Sequence, residues 1–392
     1  MTGEFKTAKG WRIFIYIFSP LLIGLFIYVG FIAFNSENSN LTVKLILLPV
    51  SFGGTTLFIY GLFETIRGRI IIAPNSISSL SLWGKKTLDF NEIKGFRIIN
   101  NYIHIFSNAD NKKAITLSTY IEKSDQITNW VTKNFIELDS HEAKQEEQQI
   151  LTNNEFGINT HTREYKLSEA RKVAKYINII GGLTCAWLWF YPRPYLLSLS
   201  IGMIIPALAF ISIYVYRGLI RFDEKNNSAH PSIIYGFFLP SSGLLIRAIM
   251  DYEILEYKSL WIAISVTTIT LTLLLFVGTK EIKFKNKFLN YFTTLSLSGI
   301  ILCYSFGTYV ISNCLFDKSE PKIFKSEVTD KEISSGNSTT YYLTLKPWGP
   351  RTETERVSVA KDEFETTDNG DTVHIYLRQG LLKTPWFYVV TE

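Results

Sequence analysis

Seven long apolar runs, separated by stretches that are alternately basic and nearly free of basic residues, constrain this chain more than any other feature. A helix rises 1.5 Å per residue, so about 20 apolar residues cross the hydrocarbon core of a bilayer. Residues 13–34 (IFIYIFSPLLIGLFIYVGFIAF) do so without one charge. Further runs follow at 45–66, 173–191, 195–216, 233–250, 260–278 and 289–312, the third and fifth being short or carrying a charge. This pattern predicts an integral membrane protein of about seven spans, with the lipid bilayer as its first partner. The first run is too long for a signal peptide and lacks a small-residue cleavage pattern, so it is expected to stay as a span.

The remaining sequence is too long for loops alone. Of 392 residues 47% are hydrophobic, 19% charged and 15% aromatic, which fits a mixture of spans and water-soluble segments. Cys185, Cys303 and Cys314 give no paired spacing, so neither a disulfide scaffold nor a zinc site is expected.

Basic residues set the expected orientation. Lys6, Lys9 and Arg12 precede the first span, and Arg67 to Lys175 follow the second. Arg217, Arg221 and Lys225 follow the fourth, and Lys280, Lys283, Lys285 and Lys287 the sixth. The alternate loops hold none, Arg193 alone and Lys258 alone. The positive-inside rule therefore predicts a bacterial-type inner-membrane protein with a cytoplasmic amino terminus and an extracytoplasmic carboxyl terminus.

The pattern divides the chain into a two-helix hairpin (1–66), a strand-rich segment (67–138), a polar linker or exposed helix (139–172), a five-span bundle (173–315) and a carboxyl-terminal β domain (316–392). In 67–138, RIIIA, SISSLSL, KKTLDF, FRIIN, YIHIF and AITL read as strands, and Pro74-Asn75, Trp83-Gly84, Asn100-Asn101 and residues 108–111 as turns. Ser124 is the expected cap of a closing helix whose apolar face is Ile127, Trp130, Val131 and Phe135. Strands closed by one helix after a membrane hairpin, with LDFNEIKGF at 88–96, resemble the bacterial pleckstrin-homology-like domains of small membrane proteins. The resemblance covers the first third of the chain and implies a packed, helix-plugged β fold that mediates assembly more often than catalysis. The expected class is thus a membrane α-helical bundle with an inserted α+β domain and a small all-β carboxyl-terminal domain. That last domain is marked by TYYLTLK, RVSVA, TVHIYLR and WFYVV. The run from Gly370 to Trp386 (GDTVHIYLRQGLLKTPW), like the segment 168–195, is similar to stretches of uncharacterised multi-pass bacterial membrane proteins.

Charges inside spans cost a few kcal/mol each and need a reason. Arg247 and Asp251, one helical turn apart near the outer end of the fifth run, are the candidate ion pair or ligand contact. A pair that pins helix depth is the preferred reading over a substrate contact. Lys85 and Lys86 are candidate headgroup contacts, though a solvated turn beside an anionic leaflet explains them too. Lys44 and Glu64 sit at span ends and snorkel. Pro20, Pro49, Pro206 and Pro240 predict kinks. His141-Glu142 opens like a zinc-protease helix, but Gln145 stands where the second histidine belongs. None of the five histidines falls in a span or beside a recognised partner motif. The expectation is a non-enzymatic envelope interaction or scaffold protein without cofactor, metal or nucleic acid, with a protein partner on a soluble domain. The alternative is a transporter or channel using a cleft near Arg247 and Asp251.

Overall fold

The computed structural model describes residues 1–35, 41–109, 114–222, 227–278, 287–335 and 339–391. Lys225, Lys280, Lys283 and Lys285, together with part of the 108–111 turn, lie outside them. The chain divides into two compact units, Met1–Gln145 and Glu146–Glu392.

The first unit begins with a strand that precedes the membrane hairpin. β1 (Gly3–Lys6) pairs antiparallel with β2 (Arg69–Ile72), Phe5 opposite Ile70. Between them run α1 (Lys9–Asn35) and α2 (Leu41–Arg67), so the hairpin is an insertion into a β domain rather than a leader to it. Nearly all the apolar side chains of the two helices are left uncovered by protein, as lipid-facing helices require. The Ser51 hydroxyl donates to the Phe26 carbonyl at 2.5 Å and ties them together.

β3 (Ser76–Ser81) and β4 (Gly84–Asp89) complete a four-stranded sheet in the order β1-β2-β3-β4. β5 (Ile93–Ile99), β6 (Tyr102–Ser107) and β7 (Ile115–Ser118) form a second, three-stranded sheet. Asn100 and Asn101, with φ of 47° and 63°, turn β5 into β6 in the left-handed geometry that two-residue hairpins prefer. A bridge from Thr7 to Ile121 joins the sheets, which share one core of Ile72, Ile77, Leu88, Phe96, Ile105 and Leu117. α3 (Ser124–Asn134) closes it with Ile127 and Val131, both fully buried. The expected cap is corrected here. Lys123, at φ 56°, holds the N-cap position, while Ser124 is already helical and its carbonyl accepts the Thr128 hydroxyl.

The stretch 139–172 is helical over most of its length. α4 (Leu138–Thr152) carries the division between the units, and α5 (Thr160–Phe190) starts well before its apolar part. Buried Arg163 holds the turn between them through the carbonyls of Leu151 (2.8 Å) and Gly157 (2.9 Å) and the Asn154 amide.

α6 (Tyr195–Val215), α7 (Ile234–Asp251), α8 (Lys258–Gly278) and α9 (Lys287–Leu315) complete the helical part of the second unit. Among the described residues six helices are long and apolar enough to cross a membrane: α1, α2, α5, α6, α8 and α9. α7, on the run predicted as the fifth of the seven spans, falls outside that set; it has 18 residues and carries Arg247 and Asp251. It packs against α5, α6 and α9. A Cβ on Gly181 of α5 would sit 2.7 Å from the Gly236 Cα of α7, so the two backbones touch.

Beyond α9, β9 (Lys322–Ser335), β10 (Thr339–Leu345), β11 (Glu355–Val359), β12 (Thr372–Arg378) and β13 (Trp386–Val390) form one antiparallel sheet. Its order, β11-β10-β9-β12-β13-β8, ends on β8 (Glu253–Ile254), a short strand from the α7–α8 connection. Long β9 pairs with β12 through its first half and β10 through its second. The all-β expectation is corrected by α10 (Lys361–Thr366), which buries Phe364 against the sheet and packs on Tyr341.

Candidate functional site

The residues singled out in the fifth apolar run meet at one end of the second unit. Helix α5 ends at Phe190, leaving its last carbonyls without intrahelical partners. The Arg247 guanidinium supplies them, with Nε donating to Leu188 O at 2.6 Å and Nη2 to Trp189 O at 2.9 Å. Its Nη1 lies 3.5 Å from Asp251 Oδ1. Asp251 Oδ2 accepts the Tyr195 hydroxyl at 2.8 Å, and Tyr195 lies 3.2 Å from the Tyr252 hydroxyl. One charged side chain thus caps one helix, while its partner carboxylate fixes the first residue of the next. Pro192, Arg193, Tyr195, Arg247, Asp251 and Tyr252 line an open cleft of about 680 Å³ here. Its chemistry is that of a polar mouth with one well-engaged cation, one exposed cation and a half-engaged carboxylate.

A second polar node joins α9 to the carboxyl-terminal sheet. Asn313, buried in the last turns of α9, donates Nδ2 to Thr384 O at 2.8 Å and accepts Leu382 N–H on Oδ1 at 2.9 Å. Its own carbonyl accepts Leu381 N–H at 2.9 Å. Gly380, at φ 76°, passes so close that a Cβ would strike the Asn313 amide and Thr384 O. Asp317 accepts Gly380 N–H, Ser319 N–H and the Trp386 indole N–H at 2.8–2.9 Å. Burial works to raise the Asp317 pKa, but these donors prevail and hold it below the usual carboxylate value. The RQGLLKTPW segment is therefore the latch of the β sheet onto α9.

A third node closes the opposite end of α6 and α7. Glu146 of α4 pairs with Arg221 at 2.9 Å and accepts the Ser228 hydroxyl at 2.7 Å and Ala229 N–H at 2.8 Å. Burial opposes ionisation of Glu146, yet those bonds and the Arg221 charge leave its pKa lowered. His230 places Nδ1 2.8 Å from Leu219 O and Nε2 3.9 Å from Glu146, and burial followed by the nearby Arg221 charge lowers its pKa. The Ser228 hydroxyl points to the carboxylate, not to the imidazole, so the trio is a loop clamp in this geometry rather than a nucleophile with its base.

Lys85 and Lys86 are exposed on β4, opposite Leu80 and Ser79, and leave the strand on opposite faces. Glu64 receives Leu82 N–H at 2.9 Å. Glu142, beside His141, accepts Arg97 Nη2 on both carboxylate oxygens, at 2.7 and 2.8 Å. Among the described residues no three His, Cys, Asp or Glu side chains group to hold a metal ion. Sequence reasoning found Arg247 and Asp251 because charge stands out in an apolar run. It missed Asn313, Asp317, Glu146 and Arg163, ordinary polar residues whose partners lie far away along the chain. No protein-family model, curated protein or solved structure matches this chain.

Proposed function

We propose that this chain is a non-enzymatic scaffold of a bacterial-type inner membrane, offering two β domains to protein partners from fixed positions on its helices. The observation that carries the reading is how each β domain is built. The first is interrupted by the α1–α2 hairpin, with β1 before it and β2 after it. The second takes β8 from the connection between two bundle helices and is latched to α9 through Asn313. A domain stitched into its helices at two points keeps its exposed face at a defined height and angle, which suits assembly rather than flexible capture.

The four- and three-stranded sheets, with α3 across their shared core, support a pleckstrin-homology-like reading of the first domain. Seven spans are supported by α7 running antiparallel to α6. Tyr195 at the start of α6 bonds Asp251 at the end of α7, and Gly202 and Leu244 approach in between. The basic loops favour a cytoplasmic amino terminus and an extracytoplasmic carboxyl terminus. The test is in-cell photocrosslinking from Ile99, exposed at the β5–β6 turn, and Ile333, exposed on β9. A stoichiometric adduct with one protein from either position supports the scaffold. Adducts with lipid alone, and a monomeric purified protein, overturn it.

A second reading, transport through the Arg247–Asp251 cleft, is favoured by the size of that opening. It loses its footing if deleting the protein changes uptake of a solute and Arg247→Ala, present at normal levels, does not.

A further inference from the structure

The loop between β12 and β13 (Gln379-Gly380-Leu381-Leu382-Lys383) presents two adjacent leucines to the surroundings, Leu381 at 53% and Leu382 at 43% exposure. In a water-soluble domain one exposed leucine is unremarkable, but here the height of the pair is fixed. Leu381 N–H bonds the Asn313 carbonyl, and Leu382 N–H bonds the Asn313 side chain, each at 2.9 Å. Asn313 lies within the membrane-spanning candidate that ends at Leu315. Two residues of helix are about 3 Å, so the leucine pair stands level with the last turn of a span, not above it.

Other groups at the same end mark the same level. Trp189, whose carbonyl is held by Arg247, and Trp261, in the first turn of α8, both leave their rings exposed. Phe316, the residue that follows α9, is exposed too. The two tryptophan rings are amphipathic and of the kind that collects where headgroups meet acyl chains. Tyr252, at the end of α7, stacks edge-on against Trp386 just after the loop, with ring centres 5.9 Å apart. Lys383, at φ 59°, follows the leucines with its side chain exposed, placed to reach phosphates while the leucines enter the apolar side.

We infer that the Leu381-Leu382 loop is a membrane anchor: the two side chains insert at the headgroup–acyl boundary of the leaflet that faces the carboxyl-terminal β domain, and Lys383 meets its phosphates. The inference rests on reading α8 and α9 as spans, and the test separates the two. Single cysteines replace Leu381, Leu382, Ile269 (mid-α8 and exposed) and Glu353 (exposed before β11) in the full chain, with labelling of the unsubstituted chain as the background. Each variant carries a polarity-sensitive fluorophore and is reconstituted into vesicles of phosphatidylethanolamine and phosphatidylglycerol. Quenching by nitroxide on lipid and by a water-soluble nitroxide is then compared.

The expected result is several-fold stronger lipid quenching at 381 and 382 than at 353, with a blue-shifted emission, and strong lipid quenching at 269. If 269 is quenched by lipid while 381 and 382 respond like 353, the anchor is wrong and the spans stand. If 269 itself is reached only from water, the spans fail and the anchor falls with them. As a second readout, Leu381→Asp with Leu382→Asp leaves the Asn313 bonds to backbone in place. It is expected to lower lipid quenching of a label at Lys383, and unchanged quenching there counts against insertion.

Discussion

At the scale of single residues, charge in an apolar segment is answered by an unpaired helix end. Arg247 sits in α7, yet what it neutralises is the carboxyl end of α5, where Leu188 and Trp189 carbonyls lack partners. Arg247→Ala would strand a buried carbonyl and half-free Asp251 together. Hydrogen bonds to charged groups contribute about 1.5–3 kcal/mol each, so a loss of about 2–4 kcal/mol is expected. Thermal unfolding in detergent measures it. Arg247→Lys, a point charge without the planar fork, is expected to recover only part, and Asp251→Asn to lose less than half as much as the alanine variant, because its amide oxygen can take the place of Oδ2 and accept the Tyr195 hydroxyl. Equal midpoints for Arg247→Ala and the parent would show that the cap carries no stability and return the residue to the ligand reading. The sequence made this residue visible because it broke a pattern. Asn313 broke none, since one asparagine near a span end looks like a terminus, and its value depends on a loop almost seventy positions later.

Elements were legible where period and length agree. Of the seven apolar runs, six gave helices long and apolar enough to cross a membrane among the described residues, because the bilayer fixes how many residues a span needs. Strands of the first domain followed from alternation and from Asn-Asn and Gly turns. β1 was hidden because Gly3–Lys6 is four residues long and stands next to a membrane segment that dominates any local average. β9 was hidden because Lys322–Ser335 carries six charges, and its pairing partners on both sides, rather than its own apolar content, keep it in the sheet. The loop between α6 and α7 offers a prediction at this scale. Its clamp uses Glu146, whose pKa is lowered on folding, and His230, also lowered. A lowered carboxylate contributes stability above its unfolded value, near 4.5, that is lost as pH falls through the folded one. A buried neutral histidine likewise gives full stability above about 6.5 and loses it as acid forces the ring to charge. Both act in one direction, so the protection of amides in residues 219–222 and 227–233, relative to their intrinsic exchange at each pH, is expected to fall below pH 6.5 and more steeply below 4.5. Glu146→Gln should remove the steeper limb; a protection factor flat from pH 7 to pH 4 would refute the clamp.

At the scale of the whole molecule, the carboxyl-terminal sheet and the helical bundle form one compact unit from Glu146 to Glu392, although composition changes sharply at Phe316. Two connections produce this: β8, which lends the sheet a strand from between α7 and α8, and the Asn313–Asp317 latch at the end of α9. The latch is the more testable, because it rests on a few polar atoms in a dry setting. Asn313→Ala leaves Thr384 O and Leu382 N–H without their partner, and a buried unsatisfied group costs about 1–3 kcal/mol. For the two groups a loss of about 2–6 kcal/mol is therefore expected. More telling than its size is where it falls. With the latch intact, β12–β13 and α9 should unfold in one transition, and hydrogen exchange in the two should share one opening energy. In Asn313→Ala, exchange in β12 and β13 is expected to outrun that of α9, splitting the unit along the junction. Gly380→Ala should give the same split by steric means, since the added Cβ has no room beside the Asn313 amide. Unfolding that stays single and unshifted in both variants would mean that contacts other than the latch, β8 and the Tyr252–Trp386 stack among them, hold the sheet on the bundle.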